Sequence, residues 1–321
     1  MTPNPSFTII IPTHQRRDMV CEAVRSLCRL SYDGPIEIVV VINGSTDGTT
    51  AALASLDCPF PLRLIEQDDR GPAGARNRGA TEAAGEMLLF LDDDMICEPD
   101  VVQQHARLIA DGADAVTGEI PIDPGSETGI VTGRLAAAAS WKRDARVSAF
   151  NVYSGHLSVR KSVFEEVGGF DEKLQARGYG GEDLDLGVRL VERYDVRHND
   201  AAVAWQRNLV GPSEHMKRAR LLAASDLRLI AKHPQITAQL LAHRGAPEGD
   251  ETPLALKLGR LPVLPSVIAA IAASVAEIAR GTRFRSSPLL ARFYFTARST
   301  NYWSAFQTPA GKTILRDWRR H

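Results

Sequence analysis

Cysteine is scarce in this 321-residue chain, and the four present (Cys21, Cys28, Cys58, Cys97) form neither a CxxC pair nor a zinc-type spacing. That pattern argues against a cysteine-built metal site and predicts four small apolar thiols in a reducing compartment. Neither charge dominates: 38 Lys and Arg stand against 39 Asp and Glu. No bulk field therefore draws the chain to nucleic acid. The opening MTPNPSFTII lacks a basic stretch followed by a long apolar run, so no secretory signal is read there and a cytoplasmic protein is expected. GxGxxG is missing, as is GxxxxGK followed by Ser or Thr, which argues against dinucleotide and P-loop binding. No apolar run is long enough to span a bilayer. The best candidate, Leu261 to Ala279, is broken by Pro262 and Pro265. About 15 uninterrupted residues at 1.5 Å give a rod of about 22 Å, short of the ~30 Å hydrocarbon core.

What is present is a strand–helix alternation. Apolar, β-branched runs at Phe7–Ile11, Ile36–Ile42, Leu62–Glu66 and Met87–Leu91 read as buried strands. Helical stretches lie between them, over Asp18–Leu30, from Ser45 or Asp47 to Leu56, and over Gly71–Ala84. This order predicts an α/β domain with a mostly parallel central sheet and right-handed crossovers. Further on, strands are expected at Ala113–Ile120, Val152–Arg160 and Val196–Trp205, with helices at Gly133–Lys142, Ser162–Val167 and Glu182–Tyr194. From about Ser213 helices take over, and Gly245–Pro253 reads as a linker. The expected division is 1–215, in halves 1–115 and 116–215, followed by a C-terminal helical extension over 216–321. In that extension Ile268, Ile271, Val275 and Ile278 share one stripe and alanines the other. The large stripe is expected to pack on the first domain, with monotopic membrane contact or homo-oligomer formation as alternatives.

The most informative residues are Asp92-Asp93-Asp94, which follow the fourth strand without a break. Ligands of open α/β sheets bind outside the carboxyl ends of strands. Three carboxylates there raise one another's pKa unless a cation sits among them. Mg2+ or Mn2+ bridging to a phosphate suits such oxygen ligands. A solvated acidic turn is the plain alternative.

Six pieces in order carry a resemblance: Pro12-Thr13, Asn43-Gly44-Ser45-Thr46-Asp47, Ala75-Arg76-Asn77-Arg78-Gly79, Leu91-Asp92-Asp93-Asp94, Val167-Gly168-Gly169-Phe170-Asp171, and Gly180-Gly181-Glu182-Asp183-Leu184-Asp185. Together they resemble the family 2 glycosyltransferases of the GT-A nucleotide-binding fold, over about residues 6–210. The resemblance implies a nucleotide-diphosphate sugar across the first four strand ends, contacted by Pro12, Thr13, Arg16, Asn43, Arg76, Asp92 and Asp93. It implies Asp94 as a ligand of Mn2+ or Mg2+, with a late histidine such as His215 completing the set and His156 as an alternative. It also implies Asp183 as the base of an inverting transfer, with Glu182 orienting sugar hydroxyls. For Arg76 a solvated helix position, for Asn43 a simple turn role, and for the acidic pair a complement to the helix dipole stay open. Trp141, Tyr179 and Trp205 are candidates to stack on a sugar face.

The resulting expectation is a metal-dependent glycosyltransferase taking a UDP-sugar first, although the missing acids after the second strand keep other bases open. The acceptor is a hydroxyl of a glycan, glycolipid or small molecule, in carbohydrate biosynthesis. A non-catalytic sugar-nucleotide or glycan-binding module would need no base, and Asp183 speaks against it. A sugar nucleotidyltransferase would need a glycine-rich loop after strand one, where Pro12-Thr13-His14-Gln15-Arg16 stands.

Overall fold

The structure, a computed structural model, describes residues 4–123, 125–126, 147–176, 179–207, 211–244, 264–280 and 288–318. The chain forms two compact units: residues 1–126, 139–172 and 182–208 make the first, and residues 127–138, 173–181 and 209–321 the second.

In the first unit β1 (Phe7–Thr13), α1 (Arg17–Leu27), β2 (Ile36–Asn43), α2 (Thr49–Ala54), β3 (Leu62–Gln67), α3 (Gly71–Glu82) and β4 (Met87–Leu91) follow the expected alternation. Then come β5 (Met95–Cys97), α4 (Val101–Ala110), β6 (Ala115–Glu119), β7 (His156–Arg160) and α5 (Lys161–Glu166). After β8 (Gln175–Ala176) and β9 (Tyr179–Gly180), which belong to the second unit, α6 (Glu182–Val191) and β10 (Val196–Gln206) complete the first. Its eight strands lie in the order β3-β2-β1-β4-β7-β6-β10-β5. β1 pairs in parallel with β2 and β4, as β2 does with β3 and β6 with β10; only β7 and β5 run against their neighbours. The sheet is thus mostly parallel. Two elements, β5 and α4, were not foreseen, and the expected strand from Val152 starts only at His156 because residues 154–155 form a turn closed by the His156 N–H donating to the Tyr153 carbonyl. The helix expected at 133–142, with Trp141, and the linker at 245–253 lie outside the described residues.

Alternation along the strands supplies both faces of the sheet. Ile9, Ile11, Ile38, Val40, Leu89 and Leu91 pack with α1 and α4, while Ile10, Leu88 and Phe90 pack with α3, α5 and α6. A sheet covered on both sides explains why these strands are apolar at every position. One departure from the expected chemistry is covalent. Cys28, at the end of α1, and Cys58, ahead of β3, form a disulfide, with their Cα atoms 5.0 Å apart, while Cys21 and Cys97 remain free and buried. The reading of four free thiols is corrected: two residues 30 apart in sequence meet because α1 and the α2–β3 connection lie on the same face. The cysteine argument for a reducing compartment falls with it.

The second unit holds the β8–β9 hairpin, α7 (Pro212–Lys232), α8 (Thr237–His243), α9 (Leu264–Arg280), α10 (Pro288–Ser304) and α11 (Pro309–Trp318). Pro212 and Pro265 sit in first turns, where the missing N–H is harmless. Inside this unit Asp226 of α7 is fully buried, paired with Arg244 at 2.8 Å and accepting from the Tyr302 hydroxyl of α10 at 2.6 Å. Among the described residues no helix is long and apolar enough to cross a membrane.

The close approach of α3 to β1 depends on Gly79. A Cβ there would stand 2.4 Å from Ile10 Cγ2. Gly79→Ala is expected to destabilise the protein by about 1–3 kcal/mol through overpacking, read as a lower urea midpoint with an unchanged m-value.

Candidate active site

The site grows from the ends of β1 and β4. The β1–α1 loop turns sharply: Gln15 is the one described non-glycine residue with positive φ, at 53°. Its backbone N–H donates to Ser45 Oγ at 2.9 Å, and His14 Nδ1 lies 2.6 Å from the Asn43 carbonyl. These ties swing Arg16 back over the strand ends. Arg16 Nη1 donates to Asp93 Oδ1 at 2.8 Å, and Thr13 Oγ1 donates to Asp93 Oδ2, also at 2.8 Å. Asp93 is buried, and burial raises its pKa against the pull of Arg16 and Thr13. It therefore acts inside the protein, holding Arg16 and Thr13 in place. Pro12 is buried within β1 opposite Val41.

Asp94 differs from its neighbour. It is only 6% exposed, its Oδ1 has no hydrogen-bond partner, and Arg16 Nη1 stands 3.8 Å from its Oδ2. Burial first, and then the Asp92 and Asp93 carboxylates, push its pKa up to about 7. An unpartnered buried carboxylate oxygen among acids fits a divalent cation. Among the described residues no three His, Cys, Asp or Glu side chains form a ready-made cage. The residues present thus suit an ion that takes one protein carboxylate and draws its other oxygens from phosphate and water.

Asp92 begins a second network. Its backbone N–H donates to Gly155 O at 3.2 Å, and its Oδ1 accepts from Arg76 Nη2 at 2.6 Å. Arg76 is no solvated helix residue: it is 5% exposed, its CZ lies 5.6 Å from the Phe170 ring centroid, and its Nε and Nη1 have no hydrogen-bond partner. Nη1 stands 3.8 Å from Glu182 Oε1 at the start of α6. Burial and the adjacent Asp183 raise Glu182 to about 7 against the pull of Arg76, and its Oε2 is unpartnered. Asp183 is raised too, chiefly by burial, with Arg76 and the Ser154 hydroxyl holding it down; Ser154 Oγ donates to Asp183 Oδ1. Asp185 lies fully buried and paired with Arg189 at 2.5 Å, so it anchors α6 rather than lying on its surface.

Several contributors carried no sequence signal of their role. Ser154 positions Asp183, and Gly155 leaves room for Asp92: a Cβ there would meet Asp92 Oδ2 at 2.7 Å. Asn77 bonds the backbone of Phe170 on both sides, at 2.9 Å each, and so locks α3 to the segment carrying Gly168-Gly169. Asn43 is buried, its Oδ1 accepting from Gln67 Nε2 and Arg70 N while its Nδ2 donates to Asp69. The open turn role is the one this geometry supports, with Asn43 shaping the β3–α3 loop. His156 is taken up by the core: its Nε2 lies 3.0 Å from His105 Nε2, and burial lowers its pKa to about 4. His215 belongs to the second unit, where its ring stacks on Tyr294 and its Nδ1 lies 3.0 Å from the Tyr294 hydroxyl; burial and nearby arginines take its pKa to about 3, so it is neutral. Trp205 donates its indole N–H to Glu98 at 2.7 Å. Trp141 and the side chain of Tyr179 lie outside the described residues.

Comparison with known proteins adds an independent line. The family model "Glycosyl transferase family 2" matches residues 8–168. Validoxylamine A glucosyltransferase of Streptomyces hygroscopicus subsp. limoneus is 26% identical over 268 residues, which are 74% of this chain and 58% of that protein. The succinoglycan biosynthesis protein ExoO of Rhizobium meliloti (strain 1021) is 35% identical over 121 residues, 37% of this chain and 33% of that one. The chain thus spans about three-fifths or less of the length of these curated relatives. Among solved structures, the mannosyltransferase PcManGT from Pyrobaculum calidifontis, in complex with GDP-Man and Mn2+, has a TM-score of 0.58 at 20% identity and covers 94% of this chain and 88% of its own. S. aureus TarS 1-349 in complex with UDP gives 0.56 at 19% identity, with 98% and 91% covered. The fold is shared with these structures.

Asp94 and Glu182 are acids whose folded-state pKa lies above the unfolded value, so stability falls as pH rises from about 4 through about 7. Asp94→Asn, without added metal, is therefore expected to raise Tm by several degrees at pH 8, less at pH 5, and not at all below about pH 4, checked by thermal melts across pH.

Proposed function

We propose that this chain, which belongs to glycosyl transferase family 2, moves a sugar from a nucleoside-diphosphate donor to a hydroxyl acceptor with inversion at the anomeric carbon. The observation that carries this reading is the joining of the strand-end acids to Glu182-Asp183 through the buried Arg76. A candidate base within reach of a candidate nucleotide site is the arrangement that sugar transfer requires.

Asp92 and Arg16 line the donor diphosphate and ribose, while Asp93 and Thr13 fix Arg16. Asp94 would hold Mn2+ or Mg2+ as its protein carboxylate, and the bound ion would offset negative charge on the departing diphosphate. His215, stacked on Tyr294 inside the second unit, is not carried forward as a ligand. Support for a divalent ion comes from the unpartnered Asp94 oxygen and from the Mn2+ in the Pyrobaculum mannosyltransferase complex. A UDP-sugar is the first choice of donor. GDP- and dTDP-sugars are the next, since Asn43 stands where an acid would read uracil.

The acceptor O–H gives its proton to an Asp183 carboxylate oxygen as the acceptor oxygen bonds the anomeric carbon and the bond to the diphosphate oxygen breaks. Ser154 keeps the second oxygen occupied, so the base presents a defined lone pair. Glu182, near 7, can donate to or accept from donor-sugar hydroxyls. The N-terminus of α6 adds positive potential beneath both acids.

The first experiment is a thermal-shift screen of UDP, GDP, dTDP and CMP with and without Mn2+; a metal-dependent shift for one nucleoside diphosphate supports the reading, and no shift for any sinks it. Asp183→Asn is expected to retain donor binding by calorimetry while transfer falls about 100- to 10,000-fold. Proton NMR of the product reads the anomeric outcome. Ser154→Ala removes the hydrogen bond that lowers the Asp183 pKa, so the acid limb of the kcat/KM profile should move to higher pH; an unmoved limb would deny Ser154 its positioning role.

A further inference from the structure

The helix α9 is inside out by size. Its sequence offers an alanine stripe and a stripe of large aliphatics, and burial of the larger side chains would remove more apolar surface from water. The structure does the reverse. Ala269, Ala272, Ala273 and Ala276 are buried with Met216 and Tyr294, while Val267, Ile271, Val275 and Ile278 are 39–75% exposed. Small side chains let α9 lie close against α7 and α10. Apart from Ile268, which packs against the inner cluster, large aliphatics are left on the outward face at positions 267, 271, 275 and 278, with Phe293 of α10 also 43% exposed. The expectation that Ile268, Ile271, Val275 and Ile278 would be packed away is corrected for the last three, while Ile268 is half-buried against the alanine-side cluster. Large aliphatics aligned outward on one helix mark an interaction surface.

Charge names the occupant. From Pro253 to His321 the sequence carries eleven Lys and Arg against two acids, Glu277 on α9 and Asp317 on α11, in a chain whose net charge is -1. The rest of the chain is therefore net acidic, and the positive charge is concentrated around this face in sequence. Two copies docking through it would bring like charges together. A protein partner would be met with aromatic anchors, whereas four of these five residues are aliphatic. An apolar helical face within a basic segment matches the interface of an anionic bilayer, where the helix lies in the plane and its flanking cations meet lipid headgroups. We propose that the outward face of α9 docks the protein on an anionic membrane surface without crossing it.

The test is flotation of the full chain with phosphatidylcholine vesicles, with and without phosphatidylglycerol, at low and high salt, alongside light scattering. The expected result is binding that needs phosphatidylglycerol and weakens with salt. Ile271→Ser with Ile278→Ser should lower it roughly tenfold or more, and Ile278→Trp should raise it. Both positions are exposed, so melting curves should match the wild type. Three results would overturn the proposal: flotation indifferent to phosphatidylglycerol, unchanged flotation of the double serine variant, or a dimer that this variant dissolves, which would give the face to a second copy. None of these readouts involves sugar transfer, so the proposal stands or falls apart from the enzyme assignment.

Discussion

A single buried guanidinium organises the first unit. Arg76 bonds Asp92 directly, stands near Glu182 and Asp183, and lies over the Phe170 ring. In so dry a place an uncompensated cation would be untenable, and so would three uncompensated carboxylates. Each makes the other tolerable, yet the match is incomplete, since Nε and Nη1 of Arg76 and one oxygen of Glu182 lack hydrogen-bond partners. Unsatisfied donors and acceptors of opposite sign, held close but not joined, are what a polar ligand can complete.

Much of the surrounding architecture keeps Arg76 where it is. Gly79 allows α3 to lie against β1, Asn77 clamps α3 to the Phe170 backbone, and Gly155 admits Asp92 beside β7. Four of the six sequence pieces, from Ala75 to Asp185, thus reduce to one requirement. The glycines and the asparagine provide close approach and backbone bonds, and the charged residues provide the field. The contrast between Asp93 and Asp94 follows the same logic. Adjacent carboxylates differ in role because one is fully bonded by Arg16 and Thr13 and the other is not.

Local signals were readable in the sequence, and distant pairings were not. The four apolar strand runs and the acids that end β4 are consecutive residues, so their period and position could be read directly. The family resemblance supplied the link from these acids to Glu182 and Asp183. Ser154 escaped notice because its partner lies 29 residues away and a serine before a glycine looks like any turn. Cys28 and Cys58 escaped because a pairing depends on the crossover of α1, which spacing does not show. Asn43 was visible as a turn residue, but its three partners at Gln67, Asp69 and Arg70 were not.

Helix α9 marks a different limit. Periodicity says which residues share a face, and it grouped Ile271, Val275 and Ile278 correctly while placing the half-buried Ile268 with them. It identifies the inward face only when the other face is polar. Here both stripes are apolar, and the choice between them is made by geometry: alanine permits close helix contact, and aliphatic bulk does not. The close contact of α9 with α7 and α10 is obtained at the expense of leaving Ile278, 75% exposed, in water. Such an arrangement forgoes burial that the same sequence could have had by rotating the helix about its axis. Selection for stability alone would favour either that rotation or polar residues at the exposed positions. That neither is found places the reason for these residues outside the fold of the unit, on whatever surface α9 meets.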